Sequence, residues 1–170
     1  IRRVLRLEAA TLAGLGRAVD ARYAAAVRLL AQCRGKVIVT GVGKSGLIAQ
    51  KIAATLSSTG TPAVHLDPTH PLHGGLGLVQ KGDVLIAVGK SGESDELNAL
   101  LPRLRALGVK IVALTANPRS TLTRGAALVL ETPVPVEACP HNLAPTCSTT
   151  AALAAGDALA VALMKVRGFG

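Results

Sequence analysis

Aromatic residues are almost missing from this chain: it has Tyr23, Phe169 and no tryptophan. Proteins that read single-stranded nucleic acid stack bases on aromatic rings, so the net charge of +9 does not read as a base-binding surface. The cations are also scattered, from Arg2, Arg3, Arg6, Arg17, Arg22 and Arg28 to Arg103, Arg105 and Lys110. No nucleic-acid partner is expected. Two readings of the charge stay open: a solvated basic surface, or a field that draws in small phosphorylated metabolites. Long apolar runs are lacking too. No stretch of about 18 uncharged apolar residues occurs, and the most apolar segment is interrupted by Asp157 and Lys165, so no membrane partner is expected. No secretory signal pattern is visible. The three cysteines, Cys33, Cys139 and Cys147, lack paired spacing, which favours free thiols in a reducing cytoplasm.

What is present is apolar and periodic. With 170 residues and 49% hydrophobic composition, the chain suits one compact domain. Residues 2–33 carry Leu5, Leu12, Leu15, Val19, Tyr23, Ala26 and Leu30 at helical spacing, with a break expected near Gly14 or Gly16. Residues 1–34 thus form an N-terminal helical segment before a core of residues 35–170. In that core, short apolar runs at 37–40, 63–66, 84–88, 111–114 and 127–130 alternate with helical stretches, the last being 148–167. Continuously apolar strands alternating with helices imply a five-stranded parallel sheet with helices on both faces, a three-layer αβα sandwich of the flavodoxin-like kind. In such sheets ligands bind beyond the carboxyl ends of the strands.

Two glycine loops fall at such ends. Gly41-Val42-Gly43-Lys44-Ser45-Gly46 follows the first strand, and Gly43-Lys44-Ser45-Gly46 recurs letter for letter as Gly89-Lys90-Ser91-Gly92 after the third. A triphosphate loop would require Gly at position 38, which is Ile38 inside the strand. A dinucleotide loop fits Gly41-x-Gly43-x-x-Gly46, with Asp67 ending the next strand, but such a domain has no need of a second copy. The duplicate favours two loops holding two ends of one small ligand. Ser91 and Ser94, at the start of a helix, suit a monophosphate cradle, although Ser91 read alone would be a helix cap.

The segments GVGKSGLIAQKIAATLSSTGTPAVHLDPTHPLHGGLG, GKSGESDEL and VEACPHNLAPTCSTTAALAAGDALAVALMKVRGF together resemble the sugar isomerase (SIS) domain. Within it they are similar to arabinose-5-phosphate isomerases, over about residues 35–169. The resemblance implies interconversion of D-ribulose 5-phosphate and D-arabinose 5-phosphate through an enediol, without organic cofactor or metal, by a homotetramer. The product feeds synthesis of the eight-carbon sugar acid of bacterial lipopolysaccharide. It places catalytic roles on Lys44, Glu96 and Glu137, and substrate contacts on Ser45, Gly60, Thr61, Asp67, His73, Ser91 and Ser94. Asp67 stands where some relatives carry a His. His70 and His73 form a His-x-x-His pair without further ligands, so no metal site is read. Lys90 departs from the relatives' pattern, and either compensates by charge for a lost hydroxyl or faces solvent. Relatives often continue into paired CBS modules, and a further catalytic His falls beyond Gly170.

The residues can be weighed beside the resemblance. Glu96 is also an ordinary acid in a first helical turn. Glu137 is the only carboxylate between residues 132 and 156, in a Pro-rich loop poor in polar side chains. An apolar setting there would raise its pKa toward that of a useful base, and makes Glu137 the first choice for proton transfer. Two other readings stay open: a sugar-phosphate sensor without catalysis, and an isomerase of a hexulose or heptulose phosphate.

Overall fold

The computed structural model describes residues 1–69 and 75–170. The chain runs α1 (Arg2–Ala18), α2 (Ala21–Ala31), β1 (Val37–Gly41), α3 (Lys44–Ser58), β2 (Ala63–Leu66), β3 (Val84–Val88), α4 (Asp95–Ala106), β4 (Lys110–Thr115), β5 (Leu128–Glu131) and α5 (Cys147–Arg167), with short 3₁₀ turns before β3 and β5. The expected break in the first helical segment is corrected. Helix α1 passes through Gly14 and Gly16 and ends at Ala18, and Asp20 starts the next helix by accepting a hydrogen bond from the Arg22 backbone N–H at 2.8 Å. Gly costs a helix only about 1 kcal/mol. Burial of Thr11 and Leu15 on the inner face outweighs it.

All five strands are parallel, in the order β2-β1-β3-β4-β5. The central strands β1 and β3 are buried along their whole length, so both faces need a cover. Alternate residues supply two cores. Val37, Val39, Val84, Ile86, Val88, Val112 and Leu114 meet α2, α3 and α5 on one side. Ile38, Leu85, Ala87, Ile111 and Ala113 meet Leu97, Leu100, Leu101 and Leu104 of α4 on the other. Helices α3 and α5 approach closely at Gly156, where any Cβ would run into Ile52.

Helix α5 is long and apolar enough to cross a bilayer by length and composition. Half of it is buried against the other helices, and Asp157 pairs with Lys51 at 2.5 Å, which is the pattern of a core helix. Strand order reverses between β1 and β3, since β2 lies outward of β1 and β4 outward of β3. That switch point is where an open parallel sheet parts its crossover connections and leaves a crevice. The two glycine loops flank it.

Candidate active site

The loops differ in why they need glycine. Gly43 has φ +58 and ψ −124, a conformation that side chains rarely adopt, and it starts α3 without a side-chain cap. Gly92 has φ +67 and is pressed against the Ser120 side chain. The second loop is braced from outside. The Lys90 carbonyl accepts from Thr115 Oγ1 at 3.0 Å and from the Ala116 N–H at 3.2 Å. Asn117 Nδ2 donates to the Ser91 carbonyl at 3.1 Å, and Glu93 Oε1 accepts from the Thr121 N–H at 3.0 Å. Its backbone is therefore fixed before any ligand arrives.

A cavity of about 290 Å³ opens between the loops, lined by Val42, Ser45, Gly89, Lys90, Ser91 and Ser94 among others. Ser94 occupies the N-cap position of α4 but makes no capping bond, so its hydroxyl and the first N–H groups of the helix have no partner within the helix. The Ser91 hydroxyl accepts from the Glu93 N–H at 3.2 Å instead of capping α4. A neighbouring cavity of about 340 Å³ lies at the ends of β1 and β2, lined by Gly43, Leu47, His65 and Asp67. Asp67 Oδ1 accepts there from the N–H and hydroxyl of Thr69.

Glu137 sits behind the first cavity with its side chain only 1% exposed. Its Oε2 accepts from the Thr146 N–H at 2.9 Å, the Thr146 hydroxyl at 3.1 Å and the Ser148 N–H at 3.1 Å, all at the start of α5. Its Oε1 is shut off from solvent and meets the Lys90 ammonium at 2.8 Å. The Glu137 N–H in turn donates to Asn142 Oδ1 at 2.7 Å, and Asn142 adopts φ +54 to reach it. Here the expected upward pKa is corrected. Burial does push the carboxyl up, but Lys90 and the hydrogen bonds from Thr146 and Ser148 overcome it and hold the pKa down at about 2. The polar groups that reverse the sign lie on the second loop and on α5.

Lys44 and Glu96 are exposed, one residue away from cavity-lining Ser45 and Leu97, and the side chain of neither is engaged in a hydrogen bond or ion pair among the described residues. Gly60 and Thr61 are not brought to this site. They precede β2 at the amino-terminal edge of the sheet, where Pro62 bonds to Val37, and Gly60 packs against the Phe169 ring. Within one chain they lie a strand length from the loops. His73 falls outside the described residues, as does His70. Among the described residues, no three His, Cys, Asp or Glu come together as metal ligands.

Sequence reasoning missed Lys90 as the partner of Glu137, and missed Thr146, Ser148 and Asn142, which hold that carboxylate. Lys90 carried a signal, being the repeat mate of Lys44. The other three have only local chemistry: hydroxyls at a helix start and an Asn able to enter the left-handed region.

Residues 29–162 match the SIS domain family. The arabinose 5-phosphate isomerase KdsD of Escherichia coli K12 is 48% identical over 166 residues, which is 98% of this chain and 51% of that protein. The protein of the same name from Francisella tularensis is 47% identical over 167 residues, covering 96% of this chain and 51% of its own length. This chain thus spans about half the length of the curated relatives it matches. The solved structure of Escherichia coli CFT073 c3406 in complex with arabinose 5-phosphate superposes with a TM-score of 0.96 at 39% identity, covering 99% of this chain and 90% of that one. With its five-stranded parallel sheet, its paired Ser/Gly loops and these matches, the chain belongs to the SIS domain family.

Proposed function

We propose that the protein is an aldose–ketose isomerase that interconverts D-ribulose 5-phosphate and D-arabinose 5-phosphate. The observation that carries this reading is a single buried carboxylate, Glu137, adjoining a cleft built from two Ser/Gly loops at the sheet's switch point. The names of the matched relatives support it. In the forward direction Glu137 takes a proton from C1 of the ketose, and the electron pair forms the C1–C2 double bond of an enediolate. The Lys44 ammonium stabilises the developing charge on the oxygen. The Glu137 carboxylic acid, its proton exchanged with solvent, protonates C2, and passage of the C1 hydroxyl proton to the C2 oxygen completes the aldose. Ser91, Ser94 and the open end of α4 take the phosphate, and Ser45 lies against the sugar. Glu96, at the rim, moves protons between the sugar oxygens.

The cleft's walls are consistent with a five-carbon chain, and hexulose or heptulose phosphates are the competing substrates. Incubation of the full-length protein with a panel of pentose, hexose and heptose phosphates, followed by NMR, decides this. Turnover confined to a longer sugar phosphate would move the assignment. A sensor without catalysis is favoured by one feature, the closure of Glu137 behind Lys90. Tight binding of arabinose 5-phosphate with no turnover would establish it.

Three further assignments belong to this reading. The product would feed the eight-carbon sugar acid of lipopolysaccharide. The unpaired Cys33, Cys139 and Cys147 suit a reducing cytoplasm. A homotetramer is supported by exposed Val19 and Val166 lining an apolar groove of about 470 Å³ between α2 and α5, and light scattering tests it.

A further inference from the structure

Glu137 cannot touch a sugar in this conformation. Its side chain is 1% exposed, and Lys90 lies on its Oε1 at 2.8 Å. Lys90 itself is 40% exposed, lines the cleft, and is the residue between Gly89 and Ser91 in the second loop. Its backbone is locked by Thr115 and Ala116, so only the side chain is free to move. The other oxygen of Glu137 is held by Thr146 and Ser148 regardless of Lys90. Removing Lys90 would therefore leave the carboxylate in place with one oxygen opened to the cleft.

We propose that Lys90 is a phosphate-operated gate on Glu137: it covers the carboxylate in the free protein, and swings onto the substrate's phosphate when Ser91 and Ser94 hold it. This rests on the isomerase reading of the same site. A phosphate dianion attracts an ammonium about twice as strongly as a carboxylate does at equal distance and dielectric. The phosphate would sit beside Ser91, the residue next to Lys90, within the sweep of its side chain. Once the ammonium leaves, burial is opposed only by the hydrogen bonds on Oε2, and Glu137 becomes more basic. The gate thus makes the base available only to sugars that carry the phosphate. Lys90 is a positioning residue, since it acts through Glu137. The other charged or titratable groups near this loop are Arg3 of α1, whose guanidinium donates to the Ala138 carbonyl at 3.3 Å, Cys139 and His141 of the loop itself, and the buried Cys147 at the start of α5. Among the described residues none of these pairs with the Glu137 carboxylate.

The test uses full-length wild type, Lys90→Met and Lys90→Arg. Each is assayed for kcat/KM with D-ribulose 5-phosphate and with unphosphorylated D-ribulose. The gate predicts opposite signs for Lys90→Met: a loss of about tenfold or more on the phosphorylated sugar, and a gain on D-ribulose. Lys90→Arg restores wild-type discrimination. Equal losses on both sugars, or no change on either, would overturn the gate. A second readout needs no turnover. The Glu137 carboxyl ¹³C shift, assigned with Glu137→Gln, is followed at pH 8, where inorganic phosphate is mainly a dianion, as phosphate is added to saturation. In wild type the shift moves when phosphate binds and Lys90 leaves the carboxylate. In Lys90→Met it is already displaced and phosphate leaves it unchanged. A wild-type shift indifferent to bound phosphate overturns the gate. If wild type isomerises neither sugar, the isomerase reading fails, and the NMR result still decides the gate.

Discussion

Replacing Glu137 by Gln should weaken the fold near neutral pH and weaken it less in acid. In the folded protein the carboxyl is held at about 2 against an ordinary value of 4.5. That gap corresponds to about 3 kcal/mol of extra stability for the ionised form. Glu137 itself is 1% exposed, but its cation is 40% exposed and solvent screens part of the attraction, so about 2 kcal/mol is the working figure. The sign follows from the depressed pKa. The contribution is complete above about 4.5 and drains away as pH falls toward about 2. Urea unfolding of wild type and Glu137→Gln at one protein concentration, from pH 7 down to pH 3, measures the gap between them. The other carboxylates are common to both proteins and drop out of the difference. At pH 7 the gap should be about 2 kcal/mol, or about 4–8 °C in melting temperature for a domain of this size. It should shrink steadily below pH 4.5. A gap that stays constant across this range, or is absent at pH 7, would refute the assignment of Lys90, Thr146 and Ser148 as the groups that stabilise the charge.

Other substitutions separate the framework from the site. Asp83 is 2% exposed, accepts from the Lys36 and Gln80 N–H groups at 2.9 and 2.8 Å, and pairs with Lys36 at the amino-terminal edge of the sheet. Asp83→Asn should therefore cost about 3 kcal/mol in urea unfolding, while kcat of the folded fraction stays within about twofold. Gly156→Leu would drive a side chain into Ile52 between α3 and α5, and should cost about 3 kcal/mol or more by the same measurement. Ser94→Ala removes a hydroxyl that no helix cap requires, and should raise KM for the sugar phosphate about tenfold with a smaller change in kcat.

The fold was legible because strands buried on both faces must be continuously apolar, and the runs ending at Val88 and Leu114 are, while those ending at Thr40, Leu66 and Leu130 are apolar but for Thr40 and His65. The site's place followed from where the duplicated GKSG falls. Glu137 stood out as a lone carboxylate in a polar-poor loop. Its charge state did not follow, because Lys90 is 47 residues away in sequence and the N–H groups of α5 become donors only once the helix starts at Cys147. Gly60 and Thr61 were drawn toward the site by resemblance alone. A helix leaving the carboxyl end of β1 must return to the opposite edge before β2 begins, so the parallel topology carries them away from the loops. The break expected near Gly14 or Gly16 falls at Val19 and Asp20 instead, because helix propensity is weaker than the packing of α1 on α5.

The central claim is that Glu137 moves a carbon-bound proton. The direct test is to incubate full-length wild type and Glu137→Gln with D-ribulose 5-phosphate in D₂O and follow both sugars by NMR. Wild type should form arabinose 5-phosphate carrying deuterium at C2, taken up when the enediol is reprotonated. Glu137→Gln should still bind arabinose 5-phosphate but turn over about 10²–10⁴-fold more slowly. Undiminished turnover and deuterium uptake by Glu137→Gln would contradict the account.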